Sequence, residues 1–133
     1  MLVYGTRLSG GRHNIVSWAR EKLEAGEAIK VVHDQFRTPT YVGDLAAGVI
    51  LAVVQKARGI YHVSGTTMMT PYDMVVQVAT QWNFDKTLIT AVTASTFKEI
   101  AERPKRTGFV CDKAINELGY RPRLFTDILK QIH

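Results

Sequence analysis

The sequence predicts an α/β fold in which short strands alternate with about four to five helices. Two observations carry this. Apolar residues recur at three- and four-residue spacing over 14–25 and 71–82, which is one face of a helix. Between and around these helices lie runs of four or five residues rich in β-formers, Ile29 to Val32, Gly59 to Val63 and Leu88 to Val92, each bounded by turn residues.

The size suits one compact unit. The chain has 133 residues, 46% apolar and 22% charged, enough for a real core. Its longest apolar stretch, Leu45 to Val54, is too short to cross a bilayer, and no signal segment opens the chain. A single cysteine, Cys111, excludes an internal disulfide framework and a multi-cysteine metal site. A cytoplasmic protein without a membrane partner is expected. The formal charge of +5 is spread along the chain and mostly interleaved with acids, densest at Arg103, Lys105 and Arg106. That pattern reads as a solvated basic surface or a small-anion site, not a nucleic-acid footprint.

Taken in order, Leu2-Val3-Tyr4 is a short strand that stops at Gly5. The loop from Gly5 to Gly11 is glycine-rich, but its spacing fits neither phosphate-loop fingerprint and reads as a surface turn. Asn14 caps a helix to Ala25, with Ile15, Trp18, Ala19 and Leu23 inward and Gly26 at its end. After the strand Ile29 to Val32 comes the segment around which the chain is organised, Asp34 to Asp44. Pro39 stiffens it and drives Thr38 towards extended geometry; Asp44 is read as the cap of a helix to about Lys56. That helix is apolar on nearly every side. It lies between two layers of this chain, or part of its cover is elsewhere.

Gly59 to Val63 reads as a well-buried strand, in which His62 is a hydrogen-bonded strand residue. Thr70-Pro71-Tyr72-Asp73 is a capping-box start with proline at the first helical position; Met74, Val75, Val78, Ala79 and Trp82 face inward. The methionines at 68, 69 and 74 read as core filler. Ser95 to Ala101 is read as a helical turn and Arg103 to Arg106 as an extended basic loop. Asp112 is read as the cap of a helix ended by Gly119, and Thr126 as the cap of a last helix with Ile128, Leu129 and Ile132 inward.

Catalytic signatures are missing. The four histidines are scattered without H-x-x-x-H, and no G-x-S-x-G elbow exists. No catalytic, cofactor or metal residue is assigned.

One ordered set of motifs is specific. Val3-Tyr4-Gly5, Asn14 opening a helix, Asp34-Gln35-x-Arg37-Thr38-Pro39-Thr40-Tyr41-Val42-x-Asp44-Leu45-Ala46, Gly59 to Gly65, Pro71 to Met74, Arg103-Pro104, and Asp112-Lys113 leading to Leu118-Gly119-Tyr120-x-Pro122 follow one another along nearly the whole chain. This resembles the second half of an extended short-chain dehydrogenase/reductase of the NAD-dependent epimerase/dehydratase family. It is most similar to the branch holding the dTDP-4-dehydrorhamnose reductases and the regulatory beta subunit of methionine adenosyltransferase.

The resemblance implies the C-terminal part of a Rossmann-type fold, with the N-terminal dinucleotide-binding half absent. Residues 1–65 would form the C-terminal edge of the Rossmann-like sheet with its buried helix, and 66–133 a small substrate-binding subdomain. It implies NAD(P) for a full-length protein, with no cofactor in this chain. The family's Tyr-x-x-x-Lys pair is missing: Tyr4, Tyr41, Tyr61, Tyr72 and Tyr120 are followed four positions on by Leu8, Leu45, Gly65, Val76 and Leu124. The implied ligand is a dTDP- or UDP-sugar. Its implied contacts are Asn14 at a helix start, Arg37 on the diphosphate, and Arg103 as a third. Arg37 reads equally as an ion pair with Asp34 or Asp44, and Arg103 as a solvated loop residue. Exposed sheet edges imply a homodimer or packing against the absent half. Two functions follow: the substrate-binding portion of a sugar-nucleotide reductase, incomplete as a catalyst, or a non-catalytic regulatory module on the same fold.

Overall fold

In the computed structural model, which describes residues 2–6, 11–97 and 103–132, three pairs of short parallel strands are joined through helical crossovers. The strands are β1 (Leu2–Tyr4), β2 (Ile29–Val32), β3 (Phe36–Arg37), β4 (Pro39–Tyr41), β5 (Ile89–Val92) and β6 (Arg106–Thr107). The helices are α1 (Ile15–Glu24), α2 (Val42–Val54), α3 (Pro71–Gln81), α4 (Asp112–Leu118) and α5 (Phe125–Leu129). β1 pairs with β4, β2 with β5 and β3 with β6. All three ladders are parallel, so each needs a long connection between its strands.

The main core forms where α1 and α3 lie against β2, with α5 closing it. Val16, Ala19 and Leu23 of α1 meet Met74, Val75, Val78 and Ala79 of α3, over Ile29 and Val31. Tyr4 of β1 packs on Phe125 of α5 with ring centroids 4.8 Å apart. A second cluster joins α4 and its exit to α2: Ala114, Leu118 and Tyr120, with Leu51, Ala52 and Val63 against them. Gly48 permits this approach, because a Cβ there would run into the Val63 side chain and crowd Tyr120.

Local signals set three of the helix ends. Asn14 accepts from the amides of Val16 and Ser17 at 3.0 and 3.1 Å, capping α1. Thr70 and Asp73 form the reciprocal capping box of α3: Asp73 N donates to Thr70 Oγ1 at 3.1 Å and Thr70 N to Asp73 Oδ2 at 2.9 Å. Gly119 ends α4 at φ +70°, a left-handed position that glycine takes without strain.

Six expectations are corrected. α2 begins at Val42, so Asp44 lies inside its first turn and caps nothing; its carboxylate is drawn to Arg123 instead. Asp112 is the first residue of α4, after Cys111, and Thr126 lies within α5, after Leu124; neither position before these helices has a side-chain cap bond. Residues 59–63 form no ladder with any described strand. Ile60 is 79% exposed, and His62 stacks on Phe109 at 4.8 Å. Met68 is exposed, while Met69 and Met74 are buried as expected. Finally, α2 is not sandwiched within this chain: Val49, Ile50, Val53 and Val54 are 56–72% exposed.

The glycine-rich loop falls partly outside the described residues, which omit 7–10. So does the turn expected over Ser95 to Ala101, of which a 3-10 turn at Ala94–Thr96 is seen.

Candidate anion-binding site

Arg37 is the one cation of the organising segment, and its backbone and side chain are both anchored. Strand β3 carries it between two neighbours: β6 on one side, and Met69 on the other, where Arg37 N donates to Met69 O at 2.8 Å and Met69 N returns a bond at 2.9 Å. Its guanidinium is equally well held. Nη1 donates to the carbonyls of Phe36 at 2.7 Å and Lys105 at 3.4 Å, and Nη2 to Gln35 Oε1 at 2.8 Å.

All three acceptors are neutral. The two carboxylates that could have paired with it are occupied elsewhere: Asp34 Oδ1 accepts from Ala94 N at 2.8 Å, and Asp44 binds Arg123. The ion-pair alternative for Arg37 is therefore overturned. A guanidinium has five N–H donors. Three contacts engage three of them, which leaves Nε–H and one Nη2 hydrogen without an acceptor among the described residues. The charge of Arg37 is positioned but not neutralised.

On the β6 side the Lys105 contact is a backbone carbonyl, and the Arg106 guanidinium lies over the Phe36 ring at 5.0 Å. A cleft of about 280 Å³ runs beside the segment, lined by Ile15, Trp18, Lys30, Gln35, Phe97 and Arg103, among others. Arg37 thus borders through Gln35 a cleft that Arg103 also lines. Trp18 and Phe97 give it aromatic walls; Lys30 and Arg103 give it positive charge.

Asn14 sits differently. It immediately precedes Ile15 of the cleft wall, but its side chain is already employed. Besides capping α1 through Oδ1, its Nδ2 donates to Gly5 O at 2.8 Å and so ties the helix start to the end of β1. Gln35 and Arg103 line the same cleft, Arg37 is joined to it only through its bond to Gln35, and Asn14 acts as a structural cap.

Sequence reasoning missed the clamp at the segment's far end. Arg123 donates from its backbone N to Asp44 Oδ2 at 2.8 Å and from Nε to Asp44 Oδ1 at 2.7 Å, while its guanidinium covers the Tyr41 ring at 4.8 Å. The Asp44 side chain is 6% exposed. Only the basic run Arg121-Pro122-Arg123 hinted at this. Gln35 was missed as a contact as well; its place two residues before Arg37 in the same segment was the available signal. Among the described residues, no group of His, Cys, Asp and Glu could hold a metal ion.

A family model described as the RmlD substrate binding domain matches residues 2–133. Spore coat polysaccharide biosynthesis protein SpsK of Bacillus subtilis is 31% identical over 123 residues, which cover 91% of this chain and 42% of that protein. Among solved structures, a dTDP-4-dehydrorhamnose reductase from Clostridium acetobutylicum gives a TM-score of 0.85 at 27% identity, over 98% of this chain and 45% of that one. A dTDP-4-dehydrorhamnose reductase from Bacillus anthracis, solved in complex with NADP, gives 0.84 at 24% identity over 98% and 45%, a likeness of fold. The chain spans less than half the length of each of these relatives.

Proposed function

The chain belongs to the RmlD substrate-binding-domain family, within the extended short-chain dehydrogenase/reductase fold, and from that premise we propose that it is the nucleotide-sugar-binding portion of an NAD(P)-dependent reductase of the dTDP-4-dehydrorhamnose reductase type. The observation that carries this reading is Arg37, a guanidinium fixed by three neutral oxygens with two donors to spare. A diphosphate is the ligand such an arrangement suits: two parallel charge-assisted bonds satisfy the remaining N–H groups and the charge together. Lys30 on the cleft wall adds attraction, and the aromatic wall suits a base or sugar face. Asn14 contributes by holding the start of α1 in place.

The chain's own residues do not fit the nicotinamide cofactor. No tyrosine has lysine four positions on. At the end of β1, Gly5 presents its carbonyl to Asn14 Nδ2, whereas a pyrophosphate needs amide donors. No hydride step is assigned to this chain, and NAD(P) belongs to the remainder of a reductase-length protein. Among the described residues, no helix is long and apolar enough to cross a membrane, and the lone cysteine suits a cytoplasmic setting.

That remainder is also the partner we assign to the outer face of α2. Val49, Ile50, Val53 and Val54 are too exposed to be a finished surface, and residues 59–63, which pair with no described strand, leave backbone for a further one. Lys56 and Arg58 line the apolar groove between them. A two-fold copy of the same face would bring these like charges together, which favours the remainder of the reductase over a homodimer.

Calorimetric titration with dTDP tests the binding site. Binding by the parent chain that weakens roughly 10- to 100-fold on Arg37→Ala is expected, the effect of losing hydrogen bonds to a charged group. Equal affinities for the two proteins would sink the assignment.

A further inference from the structure

We propose that Gln35 is the residue that positions Arg37 for anion capture while leaving its charge whole, an inference that rests on the diphosphate reading above. Gln35 Oε1 accepts from Arg37 Nη2 at 2.8 Å, and the Gln35 side chain is also part of the cleft wall. The other two acceptors, the carbonyls of Phe36 and Lys105, both meet Nη1. Gln35 is therefore the only side chain among the described residues that fixes the second arm of the guanidinium. Without it the plane can swing about Nη1, and the Nε–Nη2 edge loses its aim. A fork's value to a diphosphate lies in that aim, because two parallel bonds form only when the edge faces the ligand squarely.

The choice of amide matters as much as its place. Glutamate has the same length and would accept the same bond. It would also form an ion pair that cancels the charge meant for the ligand. The neighbouring acid, Asp34, is kept out of this role by its bond to Ala94 N. Glutamine supplies orientation without compensation. Its Nε2 has no partner among the described residues, so it can donate to the ligand as well.

Titration of dTDP into the parent chain, Gln35→Leu, Gln35→Asn, Gln35→Glu, Arg37→Ala and the double variant Gln35→Leu/Arg37→Ala tests this. Gln35→Leu is expected to weaken binding roughly 3- to 10-fold, less than removal of Arg37, because the guanidinium remains but one of the bonds that aim it is lost. Gln35→Glu, though nearly isosteric, is expected to weaken it more. The double variant should bind no worse than Arg37→Ala alone, since Gln35 acts through Arg37; a general loss of packing would lower both backgrounds by the same factor. Gln35→Asn keeps the amide on a shorter arm and carries the test if the leucine variant does not fold. Parent binding with unaffected Gln35 variants, glutamate included, overturns this role and leaves the diphosphate reading standing. Equal losses with and without Arg37 also overturn it. A parent chain that does not bind dTDP overturns both.

Discussion

Arg123 holds Asp44 across 79 positions of sequence, with its backbone amide on one carboxylate oxygen and its guanidinium on the other. Asp44 lies in the first turn of α2 and ends the segment that contains Arg37; Arg123 lies just before α5. The pair therefore fixes the α2 start to the approach of α5, and Tyr41 is trapped under the guanidinium. The organising segment is pinned at both ends, by Asp34 to Ala94 N and by Asp44 to Arg123.

This pinning predicts an asymmetry between the two partners. Arg123→Ala leaves a nearly buried carboxylate with one backbone donor, at a cost of about 2–4 kcal/mol. Asp44→Asn leaves a guanidinium that is 44% exposed and can return to water, so its loss is smaller. Urea unfolding midpoints should fall in the order parent, Asp44→Asn, Arg123→Ala; the reverse order of the two variants would remove the burial argument.

Arg37→Lys separates charge from geometry. Lysine keeps the charge but cannot reach two carbonyls, Gln35 Oε1 and a ligand at once. Affinity for dTDP should stay at least roughly 5-fold below that of the parent, because part of a charge-assisted fork is lost. Full rescue by lysine would mean that the site senses only net charge.

Much of the fold could be read in the sequence because its signals are local. Thr70-Pro71-x-Asp73 specifies a helix start through contacts within four residues, and β2 falls at Ile29–Val32 as its residue types predict. The family resemblance is borne out by the match over residues 2–133. The failures came where a distant partner outbid a local preference. Asp44 had the chemistry of a cap, but Arg123 offers two charge-assisted bonds and burial. Residues 59–63 have strand composition without a strand beside them, and composition cannot supply the partner. Of the candidate site, Arg37 was legible as a cation in a stiff loop. The neutrality of its three acceptors was not, because one of them, the Lys105 carbonyl, is 68 positions away.

The outer face of α2 yields a prediction of opposite character to a core substitution. Val53 is 72% exposed, so Val53→Glu should change the chain's unfolding free energy by less than about 0.5 kcal/mol. The same change should sharply reduce dye binding to exposed apolar surface and abolish capture of a co-expressed Rossmann portion from a related reductase. A parent chain that sediments as a dimer, and becomes monomeric on Val53→Glu, would instead assign this face to a second copy.

Alkaline pH should expose the contribution of Tyr120. Its hydroxyl donates to Ser64 O at 3.1 Å inside the second core cluster. Burial first, then the negative charge of Asp44 and then Cys111, push its pKa from the ordinary 10.0 up to about 12. The unfolded chain therefore releases this proton two units earlier than the folded one. Stability from the neutral phenol is complete below pH 10 and declines as the pH climbs towards 12. Tyr4 is raised by burial and by Asp44 as well, so the parent has more than one such group. Tyr120→Phe gives up the Ser64 bond, about 1 kcal/mol at neutral pH, and also gives up the titration. Urea midpoints measured from pH 8 to 12 should show the variant weaker at pH 8. The gap should close between pH 10 and 12, because only the parent must then keep a proton on Tyr120 to stay folded. Curves that run parallel over that range would mean that the phenol titrates alike in both states, and that its burial carries no linkage.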